Sequence, residues 1–504
     1  MKKIAFLISG LSLLVSVGYA QTQNNQPKTA GLNKDESFEE FRKRVHSNYG
    51  QFRQNILDHY ADFLNGEWHE YESLNGLKRD ETPKPEEAPR VDSPYTQELP
   101  SLPPLPEKEP EVPSAPKTPG IPRTPTSPLI PSSPSVNNNN FNFAFYDIPM
   151  EIADFNYSIS DNLENPSDFA NQWKSLEEAK VGEKMLPSIR KKIKEIGLND
   201  YLTYKYLESY VNDKFPKASN SARMALVHYL LVHLGYDARI AVTTKGTPLL
   251  LIPFKQTVYG KSYLSLQNQR YYIFPPEGKD VSTIFSEKVM TCQLPSDVDK
   301  GNTFDLVVGE LNIPVKPKKF DLEYGPLHLT GEMNENLIPI LYRYPQMPIE
   351  DYAKSNIQPQ VRAQITEQVK NQLGNMEGDQ GVEALLHFTQ NAFQYATDDA
   401  YHGFEKPYFV EETLFYPKND CEDRAIFYTY LLYNALGRDA QLVSFPGHEA
   451  ATVSLKQPQG GVSYQYNGKT YYISDPTYIG ASSGMVMPSY LNVTPEVDYT
   501  YSQN

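Results

Sequence analysis

Apolar positions along the chain fall into three regimes. Between residues 35 and 74, Phe38, Phe41, Val45, Phe52, Ile56 and Phe63 recur at spacings that keep them near one helical face. Asp35 or Ser37 can cap such a helix, and Gly50 and Gly66 are its weak points. Its apolar face would dock on the body of the protein or on another copy of itself. From residue 82 to 134 the periodicity vanishes and about one residue in three is proline. Between Pro110 and Pro134 proline takes every third position, the repeat of polyproline II, which aligns the rings on one edge of a stiff rod. At about 3.1 Å per residue the segment would reach on the order of 160 Å, a spacer or a partner-binding stretch. Asn137–Asn140 closes it, and from Phe141 the pattern turns globular.

Within the globular part, Cys421, Ala425, Tyr428, Leu432 and Ala435 lie on one helical face, with Gly437 as a C-cap. Alternation in Gln441–Phe445, Ala450–Leu455, Val462–Tyr466 and Lys469–Ser474 predicts strands. Asn467-Gly468 between the last two is a two-residue hairpin signal. Residues 303–345 read as mostly β, and Val361–Gly374 and Val382–Phe393 as helices.

The same pattern occurs twice. Phe215-Pro216-Lys217 lies 201 positions before Tyr416-Pro417-Lys418, and that offset also pairs Arg223 with Arg424 and Tyr229-Leu230-Leu231 with Tyr430-Leu431-Leu432. A one-residue slip aligns Leu234-Gly235-Tyr236-Asp237-Ala238 with Leu436-Gly437-Arg438-Asp439-Ala440, and Tyr271-Tyr272-Ile273 matches Tyr471-Tyr472-Ile473. Two copies of one domain are the simplest account.

Composition adds bounds. A chain of 504 residues exceeds one ordinary core. The formal charge of -15 argues against nucleic acid and anionic membrane surfaces as partners. Lys2 and Lys3, the apolar run Ile4–Val17 and the ending Gly18-Tyr19-Ala20 predict a signal peptide cleaved near Ala20, hence a periplasmic or secreted protein with no transmembrane segment. An exported protein stapled by disulfides would carry more than Cys292 and Cys421, although a single bridge between those two is a rival arrangement.

The candidate chemistry sits in the second copy. Cys421 opens a helix, His448 in Pro-Gly-His opens a strand and Asp475 in Ser-Asp-Pro ends one, 27 residues separating each from the next. Thiol, imidazole and carboxylate are the parts of a nucleophile, its base and the base's orienter. In the first copy Asn220, Thr247 and Pro275 occupy the matching positions, so all three reactive groups are absent together where the packing residues persist. That joint absence marks the three as a unit. Asp420, Glu422 and Asp423 work against a thiolate, each by about 0.6–2.4 kcal/mol at ~7 Å unless they point away, toward Arg424 or free helix amides. As acids in a first helical turn, they are expected to point away.

The stretch Asp420-Cys421-Glu422-Asp423-Arg424, with Pro-Gly-His and Ser-Asp-Pro-Thr-Tyr after it, resembles the transglutaminase-like superfamily over residues 380–490, and more weakly over 180–280. The resemblance implies a papain-like site with Cys421 as nucleophile, His448 as general base and acid, and Asp475 as orienter. It is specific for fold and triad but not for reaction, since members cross-link, deamidate, cleave peptides or do no chemistry. The tryptophan that many members place ahead of the cysteine as an oxyanion donor has no counterpart, because Trp68 and Trp173 lie outside the second copy. The Cys421 amide would supply one donor, and Gln390, Gln394 and Tyr408 are candidates for the other. No calcium-loop pattern is present, and neither metal nor cofactor is expected. His228 and His233, five apart in the first-copy helix, have the wrong interval for a shared face and match no metalloprotease motif. His402 reads as structural, with the border of the cleft as the minor alternative, and Cys292 as an incidental thiol in a loop.

The expected architecture is α+β: signal peptide 1–20, flexible segment 21–34, helical segment 35–75, proline-rich linker 76–140, a degenerate transglutaminase-like domain 141–300, a mostly β connection 301–360, and a domain 361–504 carrying the triad. The expected activity is that of an exported cysteine-dependent amide hydrolase or acyl transferase on a protein, peptide or cell-envelope substrate. The rival expectation is a non-catalytic scaffold that binds peptide or glycan. Self-association through the N-terminal helix is a further expectation.

Overall fold

The computed structural model describes residues 57, 59–73, 77–84, 140–277, 279, 286–292 and 301–502. Strands β1 (Trp68–Ser73) and β2 (Lys78–Arg79) come from the N-terminal part, and β3 (Asn140–Phe145) and β4 (Ile148–Ala153) form a hairpin. Helices Pro166–Glu178, Val181–Ile196, Asp200–Lys214 and Asn220–Leu234 follow, then β5 (Arg239–Thr243), β6 (Pro248–Ile252), β7 (Ser262–Leu266), β8 (Gln269–Phe274) and β9 (Lys288–Cys292). These build a seven-stranded sheet in the order β1-β9-β5-β6-β8-β7-β2.

After the hairpin β10 (Pro317–Tyr324) and β11 (Leu327–Asn334), helices Pro359–Leu373 and Gln380–Asn391 lead to a short parallel pair, β12 (Gln394–Tyr395) and β13 (Lys418–Asn419). Helix Cys421–Asn434 then precedes β14 (Ala440–Phe445), β15 (His448–Val453), β16 (Ser463–Tyr466), β17 (Lys469–Ile473) and β18 (Glu496–Tyr501). The second sheet runs β16-β17-β15-β14-β18.

The two halves share one topology. The order β9-β5-β6-β8-β7 corresponds strand for strand to β18-β14-β15-β17-β16, with antiparallel pairing throughout both. Asn220 and Cys421, which open the matching helices, are 201 positions apart. Matching hairpins turn through left-handed pairs, Gln267 and Asn268 at φ 49 and 62, Asn467 and Gly468 at φ 49 and 79. Asn and Gly suit that conformation because a short polar side chain or none avoids the Cβ clash. The halves are not separate bodies, however. One apolar core runs from Leu226 and Tyr229 through Tyr344, Ile357 and Phe409 to Ile426 and Leu431. The architecture is α+β: mixed helices packed on curled antiparallel sheets.

Several expectations change. The helix expected over 35–75 ends at residue 65, and its portion before residue 57 lies outside the described residues. Beyond Gly66 the chain becomes β1, which pairs with β9 from Trp68 opposite Cys292. The Trp68 indole N–H donates to the Leu64 carbonyl at 2.9 Å, which ties the start of β1 to the end of the helix. The buried side chains of this helix face the chain's own body, where Tyr60 stacks on Trp173 at 4.3 Å and bonds His228 at 3.1 Å. Docking on the body thus accounts for them without a second copy. The segment assigned to the linker from residue 76 contributes β2, which pairs with β7. The prolines 110–134 lie outside the described residues. The 303–345 stretch is β only as the hairpin, since Glu335–Leu337 and Ile338–Tyr342 are helical. Cys292 sits in a strand rather than a loop, buried and free like Cys421. Among the described residues, no helix is long and apolar enough to cross a membrane.

Candidate active site

The local sequence explains where Cys421 stands. Asn419 ends the two-residue strand β13, Asp420 follows as the N-cap, and Asp423 caps the new helix by accepting the Asp420 N–H at 3.2 Å and the Tyr408 N–H at 2.7 Å. Arg424, fully buried, ties the helix start to its surroundings through Asn419 Oδ1 at 2.7 Å and the carbonyls of Gln390 and Phe393, both at 3.2 Å. The helix therefore begins at Cys421, whose side chain is buried. Upstream, Arg362 grips Glu411 with two bonds of 2.9 and 3.0 Å, and Lys406 pairs with Glu412 at 2.8 Å. These buried pairs fix the 405–412 stretch beside the helix start.

His448 opens β15 directly after the Pro446-Gly447 turn, with Gly447 at φ 72. Its Nε2 meets Asp475 Oδ2 at 2.8 Å, and its buried Nδ1 has no hydrogen-bond partner. The imidazole lies parallel to the Tyr490 ring, 5.8 Å away with an interplanar angle of 1°. Asp475 Oδ1 accepts the backbone N–H groups of Thr477 at 2.8 Å and Tyr478 at 3.2 Å, so the carboxylate is held from both oxygens. The Glu449 backbone N–H, one residue past the histidine, donates to the Cys421 sulfur. Cys421 and His448 line one cleft of about 330 Å³. Thr82, Pro83 and Lys84 form part of its wall, with Lys84 Nζ held by Asp399 at 3.0 Å.

The flanking acids do not all point away. Arg424 binds none of them among the described contacts, and Glu422 Oε2 accepts the Cys421 thiol at 3.1 Å. Burial raises the thiol well above its usual range, and the charges of Glu422 and Asp420 raise it further, while the Glu449 N–H acts in the opposite sense. Glu422, Asp423 and Asp398 are likewise raised by burial and then by neighbouring carboxylates. Burial brings Asp420 up to about 6, and burial with the charge of Asp420 brings Glu405 up to about 7.

The candidates for the second oxyanion donor do other work or stand elsewhere. Gln390 Nε2 donates to the carbonyls of Asp475, Tyr478 and Ala481 at 3.1, 3.0 and 3.0 Å, and so pins the loop that carries Asp475. Tyr408 bonds His402 and the Lys418 carbonyl, and Gln394 pairs through its backbone with β13. None of the three lines the cleft, and neither does His402. Sequence reasoning missed Gln390's role, Tyr490 and the assembly of Asp398 and Glu405 beside Asp420. Asp398 is 22 residues from Asp420, and no local motif joins them.

Comparison with family models, curated proteins and solved structures returns no match.

Proposed function

We propose that this chain is a cysteine-dependent amide hydrolase or acyl transferase of the transglutaminase-like superfamily, acting on a protein, peptide or cell-envelope substrate outside the cytosol. Its second half carries the reaction, and its first is a degenerate copy. The observation that carries the proposal is His448, whose Nε2 is engaged by Asp475 at 2.8 Å, whose Nδ1 has no hydrogen-bond partner, and which lines the same cleft as Cys421. An imidazole held at one nitrogen has its tautomer fixed and offers the other as a base.

In this mechanism the Cys421 sulfur bonds the carbonyl carbon of the substrate amide as its proton passes to His448 Nδ1. The first-turn position of Cys421 leaves its backbone N–H without an intrahelical acceptor, available to the developing oxyanion. His448 returns the proton to the leaving nitrogen as the C–N bond breaks, giving a thioester and a free amine. Water, deprotonated by His448, then attacks the thioester, releasing a carboxylic acid and restoring the thiol. An amine in place of water gives transfer. Hydrolysis is the default outcome, since no acceptor pocket is evident in the sequence.

A non-catalytic scaffold is the second reading, favoured by the bond from the Cys421 thiol to Glu422, which holds the sulfur protonated. Mass spectrometry after exposure to a peptide library decides between them. Catalysis predicts an acyl adduct on Cys421 that disappears in Cys421→Ala and forms about 10²–10⁴-fold more slowly in Asp475→Asn. No adduct, with Cys421 and Cys292 alkylated equally slowly by iodoacetamide, would leave the scaffold reading standing.

A further inference from the structure

The repeat leaves one arginine without the work its counterpart does. Arg424 is fully buried and spends its guanidinium on Asn419 Oδ1 and two backbone carbonyls. Arg223 stands 201 positions earlier, and Ala218, which has no side-chain acceptor, stands where Asn419 does. The Arg223 Nη2 meets Asn220 Oδ1 at 2.5 Å, while its Nε is buried with no hydrogen-bond partner.

Arg223 lines a cleft of about 270 Å³ walled by helices Asp200–Lys214 and Asn220–Leu234, by Leu250 of β6 and by Pro276. Two carboxylates share the cleft, and both are engaged elsewhere. Glu208 accepts the Tyr204 hydroxyl on Oε1 at 2.9 Å and Lys205 Nζ on Oε2. Glu277, exposed to solvent, accepts the Asn212 side-chain amide at 3.0 Å. Arg223 is the one cation among the described residues that line the cleft, and neither carboxylate bonds it. A guanidinium keeps its charge at any ordinary pH, so burying its Nε is costly until an acceptor meets it. Its place in the first turn of a 15-residue helix adds the dipole end that favours an anion.

We propose that this cleft binds the carboxylate of an apolar α-amino acid, either free or as the C-terminal residue of a peptide, with Arg223 as its counter-charge. The planar guanidinium matches a carboxylate in shape and charge. Met224, Val227, Leu250 and Pro276 offer an apolar wall to the side chain, and the volume suits one residue rather than a long segment. A phosphate dianion fits less well, because Glu208 and Glu277 repel its second charge. Glu277 offers an acceptor to the ammonium of a free amino acid, which a peptide bond replaces in a longer ligand. The site is separate from the Cys421 cleft and stands whether or not Cys421 is a nucleophile.

The test is titration calorimetry on the full-length protein with four probes: leucine, N-acetylleucine, leucine amide and inorganic phosphate. Leucine or N-acetylleucine is expected to bind saturably near one per chain, and leucine amide, which lacks the carboxylate, at least tenfold more weakly. Leucine the tighter of the two assigns the cleft to the free amino acid, with its ammonium on Glu277. N-acetylleucine equal or tighter assigns it to a peptide C-terminus. Arg223→Met is expected to lose at least tenfold in affinity, and Arg223→Lys, which keeps the charge without the planar fork, should fold and lose affinity as well. No saturable binding of either carboxylate up to about 10 mM would overturn the proposal. So would leucine amide binding as tightly as leucine, phosphate binding more tightly than both carboxylates, or undiminished affinity in a folded Arg223→Met.

Discussion

At the scale of single residues, the site is shaped by a contest over Glu422, which faces both the Cys421 sulfur and a group of other acids. Glu405 offers the cleanest measurement of that crowding. Its carboxyl is raised from 4.5 to about 7 by burial and then by Asp420. A folded-state value above the unfolded one means that the folded state holds the proton more tightly. The stabilising contribution is complete below about pH 4.5 and is lost as pH rises through about 7. The wild type is therefore expected to lose stability relative to Glu405→Gln between those limits, as read by urea unfolding at several pH values. A difference that stays constant across the window would contradict the assignment. The sequence made Cys421, His448 and Asp475 legible because a second copy without them lay alongside for comparison. It hid the orientation of Glu422, because a helix first turn ordinarily sends its acids toward amides or a basic neighbour, and Arg424 is drawn instead to Asn419 and two carbonyls.

Among the elements, helix Gln380–Asn391 matters for one residue on its buried face. Gln390 is fully buried and supplies three hydrogen bonds to the carbonyls of the 475–481 loop, while its Oε1 accepts the Gly480 N–H at 3.2 Å. Gln390→Leu takes this donor from the Asp475 and Ala481 carbonyls, while Tyr478's still accepts the Ala481 N–H at 3.0 Å. At ~1–3 kcal/mol for each buried unsatisfied group this should destabilise the protein by roughly 2–6 kcal/mol. It should also loosen Asp475, visible as slower acylation of Cys421 in the variant that still folds. Strand and helix positions in this half were readable from periodicity: the helix expected at Val361–Gly374 is Pro359–Leu373, and the strand expected at Lys469–Ser474 is Lys469–Ile473. Strand β18 was not read, although it closes the sheet against β14. Its sequence EVDYTY alternates weakly and carries no turn signal on its C-terminal side. β1 escaped for the opposite reason, since a helical pattern of aromatics ran straight into it.

Across the whole molecule, the repeated topology and the shared core are two outcomes of one arrangement. The helix-and-sheet frame is used twice, and the apolar faces of both copies are buried against one another and the residues between them. The internal repeat was legible from five matched islands of sequence. The fusion of the cores was not, because it depends on residues such as Tyr344 and Ile357 that belong to neither island set.

Because the frame is repeated, the chain contains its own reference compartment. Asn220 begins its helix as Cys421 begins the other, and it lines a separate cleft of about 270 Å³ with Arg223 and Glu277. There Arg223 Nη2 donates to Asn220 Oδ1 at 2.5 Å, so the position has a guanidinium as neighbour where Cys421 has a carboxylate. Asn220→Cys would place two thiols in equivalent helix starts, one with a guanidinium as its nearest charged partner and the other with a carboxylate, within one molecule and one reaction tube. In protein carrying the substitution, the thiol at 220 is expected to react with iodoacetamide at least tenfold faster than that at 421 at pH 7, because a nearby cation favours the thiolate. Peptide mapping of the alkylated chain reads both rates at once. Equal rates would mean that helix position, rather than the charges around it, governs sulfur reactivity here. The inert half thus serves as a built-in calibrant for the other.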